Sequence, residues 1–180
     1  MLAGFSQKTQ RQQMRDAEKV AISWLQKLNN KKYIECWNML GKTTQNATTF
    51  KEWNEYFSTE LMPEMGSFIS RKYYLAEIEK EMEWLPKGLY ISVRYNSKYS
   101  NTKSAEEIIM VSLSETGKWE VLSYFAEYEL KDDSGDVPKS QPDEEWQGSG
   151  FFISKGFEGS SYSHKEHDNN TRTTKMKLCL

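Results

Sequence analysis

The hydrophobic period of this chain changes once, and that change restricts the fold more than any other feature. Before Gly66 the apolar residues recur at helical spacing, and after it they recur at every second position. Ala17, Val20, Ala21, Trp24, Leu25 and Leu28 stand at offsets of 0, 3, 4, 7, 8 and 11, one continuous stripe of an amphipathic helix. Asn29-Asn30 closes it. A shorter helix is expected around Tyr33, Trp37 and Leu40, with Gly41 as its C′ residue. Lys42 to Thr48 reads as a connection. Thr49-x-x-Glu52 then has the capping-box pattern, in which each side chain meets a free backbone N–H of the first helical turn. Phe50, Trp53, Phe57 and Leu61 continue at helical spacing, and Pro63 is expected to end this third helix.

Beyond Gly66, the stretch Phe68 to Trp84 is rich in β-branched and aromatic residues and ends at the turn residues Leu85-Pro86-Lys87-Gly88. Leu89, Ile91, Val93 and Tyr95 alternate with Tyr90, Ser92, Arg94 and Asn96, as in a half-buried strand. Ile109, Val111 and Leu113 form the next strand. A turn at Glu115-Thr116-Gly117 leads into Trp119, Val121, Ser123 and Phe125, making a hairpin. Helices followed by strands specify an α+β class: three N-terminal helices packed on a curved antiparallel sheet of about four strands. The expected divisions are a polar extension over 1–15, an α+β domain over 16–129, an acidic linker over 130–145, and a mostly disordered tail over 146–180.

Charge excludes several partners. The 24 Lys+Arg and 26 Asp+Glu nearly cancel, so no bulk field draws the chain to nucleic acid or to an anionic membrane. The apolar runs fall well short of the ~20 residues that span a bilayer. The first residues contain no apolar segment of the ~7–15 residues that a secretory signal uses. Cytoplasmic localisation is therefore the default expectation, with export if the true start lies upstream.

Chemistry is restricted as well. Asp16 is the only aspartate before Asp132, and both histidines, His164 and His167, fall in the tail. The domain thus has no histidine base, no Asp–His pair and no histidine partner for Cys36, which reads as a small buried apolar residue. No phosphate-binding glycine loop and no zinc-type spacing is present. No cofactor and no metal are expected, and an enzyme built here would have to rely on Glu, Tyr, Lys or Arg. Glu77, Glu79, Glu81 and Glu83 share one strand face opposite Ile78, Met82 and Trp84, which reads as a solvated acidic face. Arg71 and Arg94 read as surface charges. His164-x-x-His167-Asp168 has ligand residue types without a fold around them. Trp24, Trp37 and Trp53 occupy the inner faces of the three helices; they could line a ligand pocket or fill the core.

The order Trp24-Leu25, Tyr33, Cys36-Trp37, Phe50-x-x-Trp53, Leu85-Pro86-x-Gly88-x-Tyr90, Tyr95, Glu106-Glu107 and Gly117-Lys118-Trp119-Glu120-Val121-x-x-Tyr124-Phe125 resembles the bacterial domain of unknown function 4019. The resemblance covers about residues 16–128; that family often has Ser where Cys36 stands and Gly where Ser123 stands. It implies a small helix-plus-sheet shape, cystatin-like or nuclear-transport-factor-two-like, with no assigned activity, cofactor or catalytic residue. Gly148-Ser149-Gly150-Phe151-Phe152-Ile153-Ser154-Lys155 resembles the first strand of a trypsin-like serine peptidase, so about residues 146–157 are read as the truncated start of such a domain. His164 stands near the distance of that family's catalytic base, but neither an Asp partner nor a nucleophile loop follows.

The expectation is a non-catalytic accessory or binding domain for an unknown small molecule or protein, of the kind that would form the N-terminal module of a longer bacterial peptidase. The alternative is an enzyme: an inactive peptidase fragment, or a small-molecule enzyme that uses the helix–sheet cleft.

Overall fold

Thr9 opens the first helix by accepting a hydrogen bond from the Gln12 N–H at 3.3 Å. The computed structural model describes residues 9–79, 85 and 87–131, together with the backbone of Lys175–Cys179. Helix α1 spans Gln10–Asn29 and buries Ala17, Ala21, Trp24, Leu25 and Leu28, the stripe its spacing predicts. Asn30 caps it, its N–H reaching the Gln26 carbonyl.

Between α1 and the sheet the chain forms more helices than its periodicity suggests. They are α2 (Tyr33–Trp37), α3 (Lys42–Ala47), α4 (Phe50–Glu55), a π-helical turn (Tyr56–Leu61) and α5 (Met62–Met65). The expected connection at 42–48 is largely helix α3, because the buried Thr44 hydroxyl donates to the Leu122 carbonyl at 2.5 Å and fixes that turn to the sheet. Gly41 is the N-cap of α3 and not the C′ residue of α2. The reason is a short parallel bridge between Leu40 and Val121, in which the Gly41 N–H donates to the Val121 carbonyl and the Val121 N–H donates to Met39. The capping box forms as expected: Thr49 Oγ1 accepts from the Glu52 N–H, and Glu52 accepts from the Thr49 N–H.

Pro63 does not end the third helical segment. It lies in α5, which continues the helical backbone directly from the π-helical turn, and its neighbours Met62 and Met65 are buried there. Gly66 ends the segment, at φ 84°.

The strands are β1 (Phe68–Glu79), β2 (Leu89–Tyr99), β3 (Thr102–Leu113), β4 (Trp119–Leu130) and β5 (Lys175–Cys179), in sheet order β1-β2-β3-β4-β5 and antiparallel throughout. The first four form a meander. Register shifts near Ile69 and Tyr74 in β1, and between β3 and β4, are bulges that bend the strands. Helix α1 packs against all four strands of the meander. Its buried face meets Ile91, Val93 and Tyr95 of β2, Ile109 and Val111 of β3, and Tyr124, Ala126 and Tyr128 of β4. One sheet face is therefore inner, and the other is open.

The acidic linker beyond Lys131, the peptidase-like segment, and His164, His167 and Asp168 lie outside the described residues, as do Glu81 and Glu83.

Candidate functional site

The three candidate tryptophans meet in one cluster. Trp24 is fully buried, Trp53 nearly so, and Trp37 is half-buried. Trp24 and Trp53 have ring centroids 6.3 Å apart, and Trp37 and Trp53 5.8 Å, both edge to face. Phe57 stacks against Trp53 at 4.5 Å, Tyr124 lies 5.3 Å from Trp24, and Phe50 lies 5.7 Å from Trp37. The rings pack against one another between the helices and the sheet. Trp24 Nε1 donates to the Cys36 carbonyl at 3.2 Å, and the Cys36 thiol reaches back to the Trp24 carbonyl. Cys36 is buried, as its residue type suggests, and burial pushes its thiol pKa up to about 12.

Sequence reasoning missed the most polar feature of the interior. Arg71 is not a surface charge: its side chain is only 4% exposed and is paired with Glu107, which is 0% exposed. Arg71 Nε and Nη2 donate to Glu107 Oε2 at 2.8 and 2.5 Å, and the Ser97 hydroxyl donates to the same oxygen. Glu107 Oε1 accepts from Tyr99 at 2.9 Å and from Tyr124 at 2.8 Å. Arg71 Nη2 also donates to the Tyr99 hydroxyl, which lies 3.2 Å from Asn29 Oδ1 at the end of α1. The guanidinium lies beneath the Phe68 ring, 4.8 Å from its centroid. Both carboxylate oxygens are thus saturated by donors, which is the condition under which a buried charge is tolerable.

The electrostatics follow from this geometry. Burial is the largest effect and opposes the charge on Arg71, but Glu107 together with Tyr99 and Tyr124 outweighs it and raises the guanidinium pKa. Burial, then the adjacent Glu107 charge, push the Tyr99 and Tyr124 phenols well above their ordinary value.

The open face carries the remaining charge. Glu77 and Glu79 stand opposite Ser92 and Tyr90 in the register, and Arg94 lies 3.9 Å from Glu77 and 3.2 Å from Glu106. Arg94 is therefore the surface charge that its sequence suggests. At the end of the sheet where β2 turns into β3, a groove of about 740 Å³ crosses all four strands. Lys72, Lys98 and Lys103 line it together with Glu106, Glu127 and Glu129, and with Asn96 and Ser104. Lys103 pairs with Glu129 at 3.0 Å. Among the described residues, no three His, Cys, Asp or Glu side chains converge as a metal would require, and no helix is long and apolar enough to cross a membrane.

The helices, the meander and its closing Gly117-x-Trp119-x-Val121 strand together make a pattern that family comparison tests directly. The model of the family described as "Protein of unknown function (DUF4019)" matches residues 20–124, more than half of the chain. The chain belongs to the DUF4019 family. The matched region holds the whole tryptophan cluster and every member of the Arg71–Glu107 network. No curated protein matches the chain, and no solved structure does.

Proposed function

We propose that this DUF4019 chain is a non-catalytic binding module that takes an extended polar polypeptide across the open face of its sheet. The observation that carries this reading is the groove over β1–β4, which presents lysines and glutamates side by side, whereas the three tryptophans pack on one another's rings. A ligand with charges of both signs along an extended backbone suits such a surface. The saturated Glu107 supports the non-catalytic part: the acid and phenols an enzyme would need are spent on one another, out of reach of a substrate. Trp24 and Trp53 then serve the core, and half-buried Trp37 is where a small apolar ligand would have to enter. The helices over one face of a bent meander support a cystatin-like or nuclear-transport-factor-two-like shape. The peptidase-like Gly148–Lys155 supports a place beside a catalytic domain.

The test is an NMR titration of the isotope-labelled chain with deca-glutamate and with deca-lysine peptides. Amide shifts confined to the groove strands are expected, with the deca-glutamate shifts lost in the K72E/K98E double variant. Absence of groove shifts with both peptides would overturn the polypeptide reading. Covalent labelling of any serine by a fluorophosphonate probe would overturn the non-catalytic one.

A further inference from the structure

The two edges of the sheet are treated differently. The outer edge of β4 is occupied along most of its length: Met39–Gly41 pair at Val121, Thr44 holds the Leu122 carbonyl, and β5 lies along Tyr124–Tyr128. Strand β1 pairs with β2 on one side and, among the described residues, with no strand on the other. An uncovered edge of twelve residues is long enough to template pairing with another strand. It is also where the exposed apolar side chains gather. Of the five large apolar residues that are exposed among the described residues, Phe68, Ile69, Tyr73 and Tyr74 belong to β1, and Ile69 and Tyr74 are 60% and 59% exposed.

We infer that β1 is a self-association edge, along which two copies of this chain pair antiparallel about a two-fold axis at Tyr74–Leu75. The charge order of the strand selects a second copy over an unrelated strand. Lys72 precedes the axis and Glu77 follows it, so antiparallel pairing places Lys72 of each copy opposite Glu77 of the other. This works only because of the bulge. Five residues apart in a regular strand, Lys72 and Glu77 would point to opposite faces. With Tyr74 as the extra residue, Lys72 stands opposite Asn96 and Glu77 opposite Ser92, four apart on β2, so both side chains lie on the open face. The same register sets Ser70 opposite Glu79 and Tyr73 opposite Ala76, and covers Tyr74 at the axis.

Lysines and bulges on an edge normally discourage pairing. Here a strand that brings no carboxylate would strip hydration from Lys72 with nothing to offset it, which narrows the choice to one that does. Because the axis runs perpendicular to the sheet, the two open faces lie on the same side of the joined sheet. The inference stands whether or not the groove binds a polypeptide.

Sedimentation equilibrium of the full chain tests it, between about 1 µM and 1 mM at low salt, where surface charge pairs act most strongly. The expected mass rises from 21.1 kDa to twice that value with concentration. K72E and E77K should each weaken the dimer about tenfold or more, since both symmetric contacts change from attraction to repulsion. The K72E/E77K swap should restore it. Because Glu77 also lies 3.9 Å from Arg94, Y74D provides a second variant whose exposed position leaves the fold intact, and it should also dissociate the dimer. Hydrogen exchange at β1 amides should slow as wild-type concentration rises. A monomer throughout the range, a dimer indifferent to K72E and Y74D, or a swap that fails to restore pairing would overturn the inference.

Discussion

The Arg71–Glu107 pair shows how a single residue can be legible in one respect and hidden in another. Glu107 falls in phase with Ala105, Ile109 and Val111, all buried, so its inward direction was available from period two alone. What neutralises it was not, because Arg71 lies 36 positions away on a different strand. The pair makes a sharp prediction. Arg71→Met leaves a buried carboxylate uncompensated and should destabilise the fold by about 3–5 kcal/mol. The double variant R71M/E107L removes both charges and should recover a large part of that loss, although the Tyr99 and Tyr124 hydroxyls lose their acceptor. Urea midpoints for the single and double variants check this; losses that simply add would show that the two charges are not coupled.

At the scale of elements, legibility follows how local the determining contacts are. The capping box at Thr49 and the stripe of α1 depend on neighbours within one or two helical turns, and both were readable. Helix α3 depends on a carbonyl 78 residues away and was not. The passage from α5 to β1 depends on Gly66, whose φ of 84° and ψ of −159° fall in a region that only glycine visits freely. A Cβ there would come 2.1 Å from Ser100 Oγ and 2.7 Å from Asn101, in the turn between β2 and β3. Gly66→Ala should therefore cost at least about 1–3 kcal/mol in thermal or urea unfolding, more than an ordinary Gly→Ala change in a helix. A neutral result would mean that the turn at Ser100–Asn101 moves aside freely.

Across the whole molecule, the phenols link stability to alkaline pH. Tyr95, Tyr99, Tyr124 and Tyr128 all have pKa values raised above 10.0, first by burial and then by nearby carboxylates: Glu18 for Tyr95, Glu107 for Tyr99 and Tyr124, and Glu64 for Tyr128. Cys36 moves in the same direction, from 9.0 to about 12. The folded state holds these protons more tightly than the unfolded chain does. Their contribution is complete below pH ~8 and is lost as pH rises, Cys36 first and then the phenols, because the unfolded chain ionises first. Urea midpoints should be unaffected by these groups up to about pH 8 and fall steeply above about pH 10, with a slope of more than one proton. A midpoint unchanged to pH 11.5 would contradict the burial of the tyrosine cluster.

The passage from helices to strands, the buried stripe of α1, the inner faces of β2 to β4 and the family were determined by the sequence, because backbone geometry converts local spacing directly into faces. Tertiary structure alone decided which charges meet, which rings pack on which, and which sheet edge is left without a partner strand among the described residues. Each of those depends on contacts between residues dozens of positions apart, and no local period encodes them. The register that seats Arg71 on Glu107, and the bulge that brings Lys72 and Glu77 to one face, exist only once β1 and β2 have paired.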